Sequence, residues 1–140
     1  MRLESKKIAT RKKAESPHLF DEIRHPKSGT YILVPSHSSE RRIYIPLGFF
    51  GSDVISTNAN LIIPNASLYE FGIITSEMHN DWMRTVAGRL KSDYRYSATL
   101  VYNTFPWPEV NDQQRKQIES LAEEVLLVRE DYPDKSLAKL

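Results

Sequence analysis

Cysteine is absent from the 140-residue sequence. That absence excludes disulfides, thiolate metal sites and cysteine nucleophiles together, and it fits a reducing cytoplasm. Glycine is scarce: the five residues are scattered, whereas phosphate-cradling and dinucleotide-binding loops need them clustered. No apolar run approaches the roughly 18–20 residues of a membrane-spanning helix, and the basic N-terminus lacks the apolar core of a signal peptide. The histidines (His18, His25, His37 and His79) stand in no nucleophile motif and at no metal-ligand spacing. His79 reads as a helix-surface or domain-packing residue. In Asn103-Thr104-Phe105-Pro106 the proline comes last, whereas an amino-methyltransferase motif places proline directly after its acidic or amide residue. The chain therefore shows no complete catalytic centre.

An excess of charge of one sign is also missing, since the formal net charge is +1. The distribution is segregated, however. Arg2, Lys6, Lys7, Arg11, Lys12 and Lys13 face only Glu4 in residues 1–13, and Arg84, Arg89, Lys91 and Arg95 face only Asp93 in residues 84–95. From Glu109 to Asp134 acidic residues prevail. Such a chain permits a basic face, although solvated helix faces fit the same charges.

Apolar residues make up 40% and charged residues 26%, the composition of a globular protein with one core. Residues 2–15 lack a core stripe and read as an exposed helix or connector continuing from a preceding domain. Thr30–Val34, Arg42–Ile45 and Leu61–Ile63 are β-branched or aromatic runs closed by Pro35, Pro46 and Pro64, which predicts three strands with prolines at their ends. Ser67 is a candidate cap for a short helix from Leu68, although periodicity leaves a strand open there. Ser76 caps a helix with Met78, Trp82, Val86 and Leu90 as its stripe, widened by Met83 and Ala87. Gly88 ends it. Tyr94–Phe105 predicts one or two further strands, and Phe105-Pro106-Trp107-Pro108 must be extended. Asn111 and Gln114 form a capping box for a long helix whose stripe is Ile118, Leu121, Ala122, Val125 and Val128, ended by Pro133. The sum is an α+β domain: a small, mostly antiparallel sheet with helices toward the C-terminal half.

The segment Gly88–Ser97 is the least generic. Its Arg, Lys and Tyr side chains suit phosphate and base-edge contacts. A solvated turn with Tyr94 and Tyr96 packed inward accounts for the same residues. Trp82, Trp107, Tyr69, Phe49 and Phe71 read as core rather than as stacking platforms.

Several motifs occur in order along nearly the whole chain: Leu19-Phe20 with Glu22-Ile23-Arg24; Ser38-Ser39-Glu40-Arg41-Arg42, Tyr44-Ile45-Pro46 and Gly48-Phe49; Ile63-Pro64-Asn65-Ala66, Leu68-Tyr69, Phe71-Gly72-Ile73 and Thr75-Ser76; Met78-His79, Trp82, Arg84, Gly88–Ser97, and Val101-Tyr102-Asn103 leading into Phe105-Pro106-Trp107-Pro108. This pattern resembles the C-terminal recognition region of type IIL (MmeI-like) restriction–modification enzymes. The resemblance implies a polypeptide that joins a nuclease, a helical connector, an S-adenosylmethionine-dependent adenine-N6 methyltransferase and a target-recognition domain. Residues 1–16 are then connector, 17–110 the recognition core and 111–140 a truncated C-terminal helical segment. No cofactor is expected in this part; S-adenosylmethionine and a divalent metal are expected in the parent enzyme. Its partners are double-stranded DNA and the methyltransferase and nuclease domains of the same chain, with no membrane, in the cytoplasm. The target adenine must leave the base stack for methylation while recognition holds its neighbours.

The resemblance also implies that the positions of Lys91 and Asp93 vary together and set one base pair. The chemistry agrees: lysine donates to guanine O6 and N7, and aspartate accepts from cytosine N4. Two apart on an extended segment, they would point to the same side. Arg41, Arg42, Arg89, Ser92, Arg95 and Tyr96 are candidate backbone contacts. Ser36 and Asn58, with His37 and Asn60, are candidate readers of further bases. The alternative function is a scaffold domain that docks on a partner through the helix after Asn111.

Overall fold

The computed structural model describes residues 3–16, 18, 24, 26–137 and 139. The Leu19-Phe20 and Glu22-Ile23 stretch lies outside the described residues. A short helix, α1 (Ile8–Lys12), has no buried residue, as its lack of an apolar stripe requires.

Two three-stranded antiparallel sheets follow, where the sequence suggests one. The first contains β1 (Thr30–Pro35), β3 (Gly48–Gly51) and β4 (Asn60–Pro64), in the order β3-β1-β4. The central strand is the most apolar, with Tyr31, Ile32 and Val34 buried. Pro35 and Pro64 close their strands, where a missing N–H costs no ladder bond. The second sheet contains β2 (His37–Ser38), β5 (Gly88–Leu90) and β6 (Asp93–Arg95), in the order β2-β6-β5. Ser36 joins the two sheets. Its N–H donates to the Ala59 carbonyl (3.0 Å), and its carbonyl accepts from the Tyr96 N–H (2.9 Å).

The helices begin where the capping residues indicate. Ser67 and Glu70 form a capping box on α2 (Leu68–Thr75). The Ser76 hydroxyl accepts from the His79 N–H at the start of α3 (Glu77–Val86). Asn111 and Gln114 close the box on α4 (Asp112–Glu130). Gly72 lets α2 and α4 touch: a Cβ there would lie 2.8 Å from Ile118 Cγ2 and 3.3 Å from Ala122 Cβ. The core gathers Ile32, Val34, Leu47, Phe71, Ile74, Met83 and Val101. Trp82, Trp107, Tyr69, Phe49 and Phe71 all pack in or against the two core clusters.

Four expectations are corrected. Arg42–Ile45 is not a strand. Side chains of α3 hold it instead: Asn80 Oδ1 accepts from the Ile45 N–H (3.0 Å), and Arg84 donates to the Ile43 carbonyl. Tyr94–Phe105 yields only β6 and then a π-helical turn, Ala98–Tyr102, capped by the Ser97 hydroxyl. On α3, Met83 is buried and Trp82, Val86 and Ala87 pack against the core as the stripe suggests, but Met78 is exposed, Leu90 lies beyond the helix, and the polar His79 and Asn80 are buried as well. On α4, Ala122 is buried with Ile118 and Leu126 packed against the core, whereas Leu121, Val125 and Val128 are exposed. Both helices have apolar residues on more than one side, so periodicity alone does not choose the packed face.

Candidate nucleic-acid interface

Strands β5 and β6 form a hairpin in which Gly88 faces Arg95, Arg89 faces Tyr94 and Leu90 faces Asp93. Lys91 and Ser92 are therefore its two-residue turn. Lys91 has φ +57°, a left-handed conformation costing an L-residue about 1–2 kcal/mol. The expected extended segment carrying Lys91 and Asp93 is thus a hairpin tip: Lys91 occupies the turn and Asp93 opens the return strand. Both side chains are exposed.

Alternation along β6 divides the hairpin into two faces. Tyr94 is buried, while Asp93 and Arg95 are exposed. Arg95 stands across from His37 on β2, also exposed. The outer face thus presents His37, Arg95 and Asp93, with the exposed apolar Leu90 beside them.

The inner face is internally satisfied. The Arg89 guanidinium lies 4.0 Å from the Tyr94 ring centre. It donates to the Ser92 carbonyl (2.8 Å) and sits 3.9 Å from a Glu40 carboxylate oxygen. Arg89 therefore braces the turn. Tyr96 is 3% exposed and its hydroxyl lies 2.9 Å from His79 Nε2, so its ring fills the core and is not available to a phosphate. His79, read from the sequence as a helix-surface or domain-packing residue, is fully buried with its ring edge-on to Phe105. Burial pushes the His79 imidazole down to about 4 and raises the Tyr96 hydroxyl above its usual range, with Tyr102 adding to the rise. These two groups form a neutral hydrogen-bonded pair beneath the sheet.

The other candidates divide similarly. Arg41, Lys91 and Arg95 are exposed and hold no ion pair among the described residues. Arg42 is half-buried and borders an apolar groove between residues 43–46 and α4. Asn58 is exposed in the loop before β4, next to Ala59, whose carbonyl binds Ser36. Ser36 is half-buried, with its main-chain N–H and carbonyl both engaged. Asn60 Nδ2 donates to Thr57 Oγ1 (3.3 Å). The tip and outer face of the second sheet therefore present Lys91, Ser92, Asp93, Arg95 and His37, with Lys91 and Ser92 at the turn and Arg95 beside His37 at the other end of the strand pair. Sequence reasoning assigns no role to Glu40, although its N–H reaches Asp93 Oδ1 (3.3 Å). Its signal lies in the Ser38–Arg42 motif, but the pairing of that motif with residues 53 positions away is a tertiary fact.

Comparison with known proteins matches residues 1–109 to the family described as "MmeI, target recognition domain". DNA methyltransferase A of Bacillus subtilis (strain 168) is 47% identical over 122 residues, which are 87% of this chain and 14% of that protein. Among solved structures, the type IIL restriction-modification enzyme MmeI in complex with DNA superposes with a TM-score of 0.90 and 50% identity over 98% of this chain. The chain spans 18% of that protein.

Proposed function

The chain belongs to the MmeI target-recognition-domain family, and from that premise we propose that it reads a short sequence in duplex DNA for a larger methyltransferase–nuclease. The β5–β6 hairpin tip enters the major groove. Lys91 donates to a guanine, and Asp93 accepts from the amino group of a cytosine in the same pair. Arg41 and Arg95 neutralise phosphates on either side, and Ser92 adds a hydroxyl. Ser36 and Asn58 read further bases from the adjoining edge. The observation carrying this reading is the combination at the tip: an exposed lysine held at φ +57° beside an exposed aspartate, with Arg41 and Arg95, which hold no ion pair among the described residues, on the neighbouring segments. Backbone outliers of this kind cluster at functional sites.

In the longer polypeptide that this reading requires, other domains hold S-adenosylmethionine and the divalent metal, perform the chemistry and work in the cytoplasm. Among the described residues there is no cluster of three or more His, Cys, Asp or Glu able to hold a metal. No described helix is long and apolar enough to cross a membrane.

The phosphate role has a direct test. In duplex titrations at several salt concentrations, Arg41→Ala and Arg95→Ala each reduce the slope of log affinity on log salt by about one, whereas Arg89→Ala leaves it unchanged. Slopes unmoved by the first two variants would remove both residues from the backbone contacts.

A second reading, docking on a partner domain, is favoured by the apolar groove, where Leu121, Val125 and Val128 of α4 stand exposed opposite Ile43 and Tyr44. It is compatible with the first, because a recognition domain must be fixed to the domain it directs.

A further inference from the structure

The reading hairpin does not orient its own acid. Asp93 Oδ1 accepts a hydrogen bond, at 3.3 Å, from the main-chain N–H of Glu40, 53 residues earlier in the chain. The segment supplying that donor is itself a turn: the Arg42 N–H donates to the Ser39 carbonyl (3.1 Å), and the Arg41 N–H to Ser39 Oγ (3.3 Å). Glu40 is thus the second residue of a four-residue turn. Its carboxylate lies 3.9 Å from Arg89, the residue that also binds the Ser92 carbonyl and covers Tyr94. Two separate links therefore join this turn to the hairpin, one to the acid and one to the base of the tip.

We propose that Glu40 is a positioning residue for sequence readout: its N–H fixes one oxygen of Asp93, so that the other is aimed at a base amino group. This inference rests on the base-reading role of Asp93. An exposed aspartate otherwise samples several rotamers, and a base contact discriminates only when its acceptor is held in place. A hydrogen bond from an N–H to a carboxylate is charge-assisted and suits that task. It follows that specificity at this base pair belongs jointly to the hairpin and to the Ser39–Arg42 turn, so changing the hairpin residues alone transfers it incompletely.

The test separates the N–H from the side chain. The second position of such a turn favours proline, so Glu40→Pro removes the donor with little strain, while Glu40→Ala removes the side chain and keeps the donor. Asp93→Ala identifies the base pair that Asp93 reads. Each variant of the whole chain selects duplexes from a randomised pool, the bound fraction is sequenced, and melting temperature monitors folding. The expected result is that Glu40→Pro lowers discrimination at the Asp93 base pair by roughly tenfold relative to Glu40→Ala. Preferences at the other positions and the salt dependence stay as in Glu40→Ala, an outcome that general loosening of the fold does not produce. Equal preferences for the Pro and Ala variants, while Asp93→Ala still relaxes one position, overturn the positioning role alone. If Asp93→Ala relaxes no position, or the unmodified chain selects no motif, the base-reading role and this inference fall together.

Discussion

Lys91 illustrates a conflict between folding and reading at the scale of one residue. Its left-handed backbone is disfavoured for any side chain with a Cβ, and a two-residue hairpin turn would ordinarily take glycine or asparagine there. Lys91→Gly is therefore expected to raise stability by up to about 1 kcal/mol, measured as a higher denaturant midpoint, while the preference at the base pair read with Asp93 is lost. Loss of stability together with unchanged sequence preference would mean that Lys91 is a structural residue. Tyr96 is the opposite case. Its aromatic hydroxyl suits either a phosphate or a core acceptor, and nothing local distinguishes them. His79, an entire helix away, decides the matter by offering Nε2 at 2.9 Å. The Gly88–Ser97 segment is legible as the special stretch of this sequence; which of its side chains point inward is not.

At the scale of elements, the helix starts are legible because capping is local chemistry: Ser67 with Glu70, Ser76, and Asn111 with Gln114 all act where their spacing suggests. The packed faces are less so. Helix α3 buries the polar His79 and Asn80, which a hydrophobic stripe never selects, because tertiary partners meet them: Tyr96 at Nε2 of the first, whose Nδ1 has no hydrogen-bond partner among the described residues, and the Ile45 N–H with the Ser76 carbonyl for the second. This buried pair of elements has a pH signature. The imidazole of His79 is held down to about 4, against about 6.5 in an unfolded chain. Between those values the unfolded chain binds a proton that the folded chain refuses. Stability therefore falls as pH is lowered from about 7 to 4, by up to about 3 kcal/mol, and this contribution levels off below 4. Urea midpoints measured across that range should show the fall, and His79→Gln should flatten it. A His79→Gln profile parallel to the unmodified one would contradict the neutral buried pair.

At the scale of the whole molecule, the described residues present two chemically different surfaces. Around the hairpin, exposed cations and an acid stand on the second sheet; beside α4 lies an apolar groove whose lining includes Leu121, Val125 and Val128, with acidic and basic side chains both among its polar residues. Two such surfaces suit a domain that grips a polyanion with one and a protein with the other. The antiparallel pairing and the α+β class are legible in the sequence because they follow from proline-ended strands and capped helices. The split into two sheets is not, since it depends on the main chain of a single residue, Ser36, bonding to both. The central claim is that the pair at the hairpin tip reads one base pair. It is tested most directly by selecting duplexes from a randomised pool with the unmodified chain and with the double variant Lys91→Glu, Asp93→Arg, then sequencing the bound fractions. The account predicts that the preferred base pair changes at one position and is retained elsewhere. The same motif selected by both proteins, with only weaker binding for the variant, would contradict it.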